Sequence, residues 1–172
     1  GDIYVMDHDT DGRTYRLVFT PTVADAPEFP LDLAATGLFT NVTDLQPAPG
    51  VIPYEVTVEP WMDGAYAQRL LALPGQTRIA TTEVNGQSEW EFPAGTVFAQ
   101  TVYHRGQPGQ NPVRLETRIL HFENSRWRAY SYRWNDAQTN AVLVSSAGEQ
   151  FSLPKHTADP DVSIHETWRI VS

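Results

Sequence analysis

Residues 114–134 read RLETRILHFENSRWRAYSYRW, and this stretch decides the fold. Its two halves, 114–122 and 126–134, alternate in side-chain direction and are rich in the β-branched and aromatic residues that favour strands. Glu123, Asn124 and Ser125 separate them, which is hairpin spacing, and asparagine tolerates the left-handed conformation of such turns. The stretch therefore predicts an antiparallel β-hairpin.

The second strand of this hairpin has two different faces, because successive side chains in a strand point to opposite sides. One of the two faces must line the core. Trp127, Ala129 and Ser131 share one face, and Arg128, Tyr130, Tyr132 and Trp134 share the other.

Further strands are predicted on both sides of the hairpin, and thirteen prolines and eleven glycines punctuate the chain. This spacing indicates an all-β, antiparallel sandwich or barrel. One short helix is expected near residues 30–37, because Leu31, Leu33 and Ala34 have helical spacing and Gly37 is a natural C-terminal stop. The other strands are predicted at 54–58, 68–73, 77–82, 96–104, 141–145 and 167–171.

The chain divides by composition into three parts. Residues 1–20 contain two β-like runs and predict a hairpin, residues 21–30 are proline-rich and acidic and predict a linker, and residues 31–172 form the antiparallel β domain. The chain begins abruptly inside a predicted strand. We therefore expect it to be a piece of a longer protein.

Composition excludes several classes of function. The chain of 172 residues has 12 Lys and Arg against 21 Asp and Glu, a net charge of -9, which disfavours nucleic acid and anionic lipid as partners. No apolar run approaches the roughly 20 residues of a membrane span. The absence of cysteine removes disulfides, thiolate nucleophiles, cysteine-ligated zinc and covalently attached c-type haem from this stretch of chain.

An acidic turn near the start is the candidate metal site. Asp7, Asp9 and Asp11 alternate before Gly12, as in the first half of a calcium-binding loop. The bidentate acid of an EF-hand would fall on Val18, so an EF-hand is rejected. A hairpin loop that binds Ca²⁺ with water or a distant carboxylate remains one interpretation, and a solvated acidic turn is the other.

Catalytic motifs are missing from the sequence. It contains no G-x-S-x-G, no P-loop, no G-x-G-x-x-G and no paired-histidine motif, although His104 and His121 lie on neighbouring predicted strands and could meet. Two acids across a cleft could hydrolyse a glycoside, but sequence alone does not pair them. The available acids are Glu83, Glu89, Glu91, Glu116, Glu123 and Asp136.

Aromatic residues supply the candidate carbohydrate site. The chain has five Trp, seven Tyr and seven Phe, and exposed rings flanked by polar groups can stack on sugar rings. The alternative is that these rings fill the core. The candidate carbohydrate-binding residues are Tyr130, Tyr132, Trp134, Trp61 and Trp90.

The opening residues resemble the end of a known propeller fold. Residues 1–7, GDIYVMD, followed by residues 13–17, RTYRL, are similar to the last strands of soluble β-propellers of the glucose/sorbosone dehydrogenase type. Those propellers are PQQ-dependent quinoproteins. None of their cofactor residues can be placed here, so no PQQ site is assigned.

The remainder resembles a poorly characterised domain of multi-domain, secreted or periplasmic bacterial redox proteins. In such proteins the domain tends to follow a propeller and precede a c-type cytochrome domain with a C-x-x-C-H motif. The resemblance implies a secreted or periplasmic location and contacts with neighbouring domains, but attaches no activity to this domain. It is carried by residues 29–31, 36–39, 47–54, 61–65, 72–75, 90–96, 115–118 and 130–139.

These observations predict a non-catalytic accessory domain of a secreted redox protein. It would link or dock catalytic and electron-transfer modules and bind a polysaccharide, and the parent protein would be a PQQ-dependent sugar oxidoreductase. Two alternatives remain open: a carbohydrate-active enzyme using paired carboxylates, and a structural module stabilised by Ca²⁺. No catalytic residue is assigned.

Overall fold

The predicted all-β, antiparallel class is confirmed. The structure, a computed structural model, describes residues 3–6, 14–17, 29–62, 64–105, 111–155 and 164–171. Within them, every pair of neighbouring strands is antiparallel. The described strands are β1 Ile3–Met6, β2 Thr14–Leu17, β3 Phe39–Asn41, β4 Gln46–Pro47, β5 Val51–Pro53, β6 Ala65–Ala72, β7 Ala80–Val84, β8 Gln87–Glu91, β9 Val97–His104, β10 Val113–Glu123, β11 Arg126–Trp134, β12 Ala141–Leu143, β13 Glu149–Lys155 and β14 Ile164–Ile170.

The expected short helix is one 3-10 turn, Leu33–Thr36, within the predicted range. It ends at Gly37, whose φ of 74° is the left-handed conformation that glycine adopts without a steric cost. The turn is too short to cross a membrane, and no helix among the described residues is long and apolar enough to do so.

The largest sheet has six strands in the order β12-β11-β10-β9-β6-β5. The predicted central hairpin is its longest element, and β11 coincides with the predicted 126–134. Because β10 extends to Glu123, which pairs with Arg126, the connection is a two-residue turn. Asn124 and Ser125 have φ values of 51° and 58°, so both are left-handed, as a tight hairpin turn of this hand requires.

The face of β11 that carries Tyr132 and Trp134 lines the main core. Both rings are buried against Leu33, Leu38 and Phe39, which belong to the segment preceding the sheet. The Tyr132 hydroxyl donates a hydrogen bond to the backbone oxygen of Pro30 over 2.7 Å. The segment from Phe29 onward therefore covers this face.

Part of the opposite face is covered by the C-terminal hairpin of β13 and β14. Leu153 of β13 packs with Val102 and Leu115 in a second buried cluster, against which Trp168 of β14 also packs. The central sheet therefore has a cover on each side, and the arrangement is sandwich-like.

The prediction for residues 54–58 was wrong, because no strand forms there. The edge strand is β5 instead, and its ladder ends where the Tyr54 N–H donates to the Arg69 carbonyl over 3.1 Å. Pro53 has no N–H to contribute and Pro60 follows closely, so the segment does not continue as a paired strand. The chain leaves the sheet edge at this point.

Near the N-terminus, β1 pairs with β2 in an antiparallel ladder that joins Ile3 to Leu17 and Met6 to Thr14. The connecting residues 7–13 and the proposed linker, apart from Phe29 and Pro30, lie outside the described residues. The division into residues 1–20, 21–30 and 31–172 stays a prediction.

Candidate ligand-binding groove

The face of the large sheet opposite the main core is only partly covered, and three rows of its residues shape the candidate site. Cross-strand partners share a face of a sheet, so the pairing register defines each row. The apolar row is Leu71, Phe98, Leu120 and Ala129; the polar row is Arg69, Gln100, Arg118 and Ser131; the third row is Ala67, Val102, Glu116 and Arg133.

A groove, which we call the sheet groove, lies over the apolar and polar rows. It has a volume of about 340 Å³, with Tyr54 and Val171 among its other lining residues. The third row contacts the C-terminal hairpin, since Trp168 bonds to Glu116 and Arg133 pairs with Glu149. The hairpin thus covers one part of the face and leaves the sheet groove beside it open.

An aromatic cluster continues from the apolar row. The Phe98 ring lies 5.6 Å from each of the Tyr54, Phe92 and Trp127 rings, measured between centroids. Phe92 packs edge-on against Trp127 at 5.3 Å, and Trp90 lies 6.2 Å from Phe92. We call Trp90, Phe92, Phe98 and Trp127 the aromatic wall.

The outer part of the aromatic wall faces solvent. Trp90 is 65% exposed and Trp127 is 40% exposed, and neighbouring Leu120 of the apolar row is 45% exposed. Exposed large apolar side chains that cluster mark binding surfaces more often than scattered ones do. The wall and the apolar row together form such a cluster.

Arg69 anchors one end of the polar row. The residue is only 7% exposed, and its guanidinium donates two hydrogen bonds to the Glu59 carboxylate, at 2.7 and 2.9 Å. These hydrogen bonds raise the pKa of Arg69 and lower the pKa of Glu59. Burial raises the pKa of neighbouring Tyr54, so its hydroxyl stays protonated beside the guanidinium.

Arg118 stands further along the polar row, with Gln100 between the two arginines. Arg118 donates to Oε1 of Glu116 over 2.7 Å, and Trp168 donates to the same oxygen over 3.0 Å. Within the described part of the chain, the Gln100 side chain has no hydrogen-bond partner. Its amide is therefore free to bind a ligand over the groove.

A second cavity adjoins the first at Arg69. It has a volume of about 570 Å³ and is bounded on one side by the sheet edge at Gln68 and Arg69. On the other side it is bounded by residues of the coil that follows β5, among them Glu55, Val56 and Glu59. We call residues 55–61 the strap. Tyr54 and Arg69 line both cavities.

The five aromatic residues proposed from the sequence occupy different environments. Tyr132 and Trp134 are buried in the main core, 0% and 3% exposed, because the segment from Phe29 onward covers their face. Tyr130 is half-buried and stacks on Phe29 at 3.6 Å. Trp61 is 84% exposed on the strap, and Trp90 alone of the five belongs to the aromatic wall.

Sequence reasoning missed most of the groove. Trp127 lies on the other face of β11 from the three aromatic residues predicted to bind carbohydrate there, and the pattern around Phe98 and Gln100 indicates only a strand. Arg69 carried no motif. The cross-strand register that brings Arg69, Gln100 and Arg118 into one row was the missing information.

The proposed metal and histidine sites differ in outcome. Asp7, Asp9 and Asp11 lie outside the described residues, and among the described residues no group of three His, Asp or Glu could hold a metal ion. His104 and His121 do not meet. His121 pairs with Val97 and His104 with Val113, which places the two histidines at opposite ends of β9.

Comparisons with known protein families, with curated proteins and with solved structures found no match for this chain.

Proposed function

We propose that this chain is a non-catalytic accessory module that binds carbohydrate in the sheet groove. The observation that carries the proposal is the aromatic wall beside the polar row. Sugar rings have apolar faces that stack on Trp and Phe, and their hydroxyls need planar polar groups such as guanidinium and amide. The large sheet supplies the polar row together with Phe98 and Trp127, and the end of β8 adds Trp90 and Phe92.

The shape of the groove supports a chain-like ligand. The polar row crosses four neighbouring strands, which are spaced about 4.8 Å apart. Arg69, Gln100 and Arg118 therefore present donors along a line, with the apolar row parallel to it. A polysaccharide, which repeats its hydroxyls along its length, suits such a line of donors.

Sequence resemblance suggests the biological setting. In secreted or periplasmic redox proteins of the kind that the chain resembles, such a module would hold polysaccharide close to a sugar-oxidising propeller. It would also space that propeller from an electron-transfer domain. This context is part of the proposal and rests on the resemblance.

The state of Glu59 does not fit the general acid of a glycosidase. A glycosidase that uses paired carboxylates needs one acid that remains protonated near neutral pH. Glu59 lines the larger cavity, but its hydrogen bonds with Arg69 lower its pKa and hold it ionised. This is the opposite of the shift that a general acid requires.

Affinity electrophoresis and calorimetry against a panel of soluble polysaccharides would test the proposal. We expect Trp127→Ala and Trp90→Ala each to weaken binding about two- to tenfold, since aromatic stacking contributes about 0.5–1.5 kcal/mol. Trp61→Ala is the matched control, because Trp61 is more exposed than either but lies on the strap. Absence of binding to every glycan, or equal losses in all three variants, would refute the groove as the site.

A further inference from the structure

We infer that Arg69 is a carboxylate-recognition residue, and that Glu59 occupies it until an acidic glycan displaces it. The ligand class is a polysaccharide containing uronic acid, whose ring carboxylate would take the place of the Glu59 carboxylate. This inference rests on the proposed function of the sheet groove and specifies the chemistry of its ligand.

The geometry around Arg69 suits exchange of one carboxylate for another. A buried guanidinium is costly without an anionic partner, so Arg69 needs a carboxylate in every state of the protein. Its fork already holds one in the two-bond arrangement that carboxylates prefer. Replacing Glu59 with a uronate preserves both hydrogen bonds and the charge balance at the guanidinium.

Glu59 is loosely held compared with Arg69. Its side chain is 57% exposed, whereas that of Arg69 is 6% exposed. From Glu55 to Trp61, the only hydrogen bonds within the described chain are the two from Arg69 to Glu59. Breaking this pair would return a half-solvated carboxylate to water and free the strap, without breaking other hydrogen bonds.

The space around Arg69 can accept a sugar. Cavities of about 340 and 570 Å³ meet at Arg69 and Tyr54, and both volumes fall in the range of small-molecule sites. Gln100, whose side chain has no partner among the described residues, neighbours Arg69 in the polar row and would bind the ring hydroxyls. The ring itself would lie towards Phe98 of the aromatic wall, which favours a sugar acid over an acidic peptide.

Charge explains why the guanidinium matters for such a ligand. The protein has a net charge of -9, which repels an acidic polymer at long range. A uronate would therefore bind only where a fixed cation receives its carboxylate. In wild type, Glu59 competes for that cation, so only molecules in which Arg69 is free of Glu59 can bind the uronate. The measured affinity is the intrinsic affinity multiplied by that free fraction.

The test compares each of several uronate polymers, such as polygalacturonate, alginate and glucuronoxylan, with its carboxyl-reduced neutral form. Calorimetry would be carried out on wild type, Glu59→Gln, Glu83→Gln and Arg69→Lys. Glu83→Gln is the matched control, because Glu83 is exposed on β7 and lines neither cavity, and its substitution changes the net charge equally. Arg69→Lys keeps the charge and removes the fork.

We expect Glu59→Gln to bind one of the uronate polymers about tenfold more tightly than wild type does. Glu83→Gln should bind it within about twofold of wild type, the neutral form should show no such gain, and Arg69→Lys should lose the preference for the acidic form. Thermal melts of all four proteins would show that each variant is folded.

Three results would overturn the inference. If neutral glycans bind through the aromatic wall and Glu59→Gln gives no gain for any uronate, the acidic specificity is wrong while the proposed function stands. If polyglutamate gains as much as the uronate polymers, Arg69 recognises an acidic peptide and the sugar assignment is wrong. If no glycan binds to any variant, the proposed function fails as well.

Discussion

Trp168 donates a hydrogen bond from its indole Nε1 to Oε1 of Glu116 over 3.0 Å, and this contact joins the last strand to the large sheet. The Glu116 carboxylate is completely buried, and its other oxygen, Oε2, has no hydrogen-bond partner among the described residues. The open boundary of the sheet groove lies next to this contact, because Arg118 of the polar row bonds to the same Oε1. The C-terminal hairpin is therefore fixed where the groove begins.

Trp168→Phe should lower the free energy of unfolding by about 1.5–3 kcal/mol, because it removes a hydrogen bond to a charged and buried acceptor. Urea denaturation followed by tryptophan fluorescence would measure the change. Trp61→Phe, at a residue that is 84% exposed, serves as the control and should change stability by less than about 0.5 kcal/mol. Equal effects in the two variants would show that the Glu116 contact does not hold the hairpin.

Stability should fall in alkaline solution because of Tyr132. Burial raises the pKa of Tyr132 far above its ordinary value near 10, so the folded protein retains a proton that the unfolded chain releases. Above pH about 10 the unfolded state therefore binds fewer protons, and stability declines by about 1.4 kcal/mol per pH unit for this group. Below that pH, its contribution does not change with pH.

The variant Tyr132→Phe separates the contribution of Tyr132 to the alkaline loss of stability from that of the other tyrosines. Denaturant titrations of wild type and the variant at pH 8 and pH 11 should show a smaller alkaline loss in the variant, although it is less stable at pH 8 because the bond to Pro30 is absent. The part that remains in the variant is expected from Tyr54 and Tyr103, whose pKa values are also raised by burial. An unchanged alkaline loss would show that Tyr132 titrates normally.

Ser125→Gly should stabilise the protein by about 1 kcal/mol. Ser125 has a φ of 58°, and a residue with a Cβ atom pays a steric cost in this left-handed conformation that glycine avoids. Thermal melts would show a higher Tm. Ser88→Gly, at an exposed position within β8, should instead lower stability, since glycine weakens a strand interior. A lower Tm for Ser125→Gly would contradict the turn geometry.

The acidic sequence that contains Asp7, Asp9 and Asp11, which lies outside the described residues, is still expected to bind Ca²⁺. If the ion binds only the folded chain, Ca²⁺ at about 100 times its Kd should stabilise the protein by about 2.7 kcal/mol, and a chelator should reverse the effect. Scanning calorimetry with Ca²⁺ and with EDTA measures this directly. Asp9→Asn should remove the response to Ca²⁺, whereas Asp44→Asn, in a turn elsewhere, should keep it. Identical melts with ion and chelator would leave the solvated turn as the correct interpretation.

Strand patterns were predictable where strands are long and lie within the large sheet. The prediction for 126–134 coincides with β11. The prediction for 96–104 begins one residue before β9, and β10 is one residue longer at each end than the predicted 114–122. Short strands at the margins were harder, because β3, β4, β5 and β12 have only two or three residues, too few to show side-chain alternation. The hairpin of β7 and β8 did carry a local signal, since Asn85 and Gly86 both have positive φ and Asn-Gly is a favoured tight turn.

The candidate site was less predictable than the strands. Side-chain alternation alone separated Trp127 from Tyr132 and Trp134, but both sets are aromatic, so hydrophobicity did not distinguish the buried face from the exposed one. Arg69 and Glu59 are ten residues apart, and their pairing depends on the chain leaving the sheet after Pro53. Neither the choice of the buried face nor the pairing of Arg69 with Glu59 follows from a sequence motif.

The sequence by itself determined the β class, the central hairpin with its turn at Asn124, and the two faces of β11, because strand propensity, turn conformation and alternation are local properties of the chain. The tertiary structure decided which face is buried and which lines a groove. That choice depends on the segment beginning at Phe29 and on the C-terminal hairpin, which pack on opposite sides of the sheet. Register then placed Arg69, Gln100 and Arg118 in one row, and register is a relation between strands that no single strand encodes.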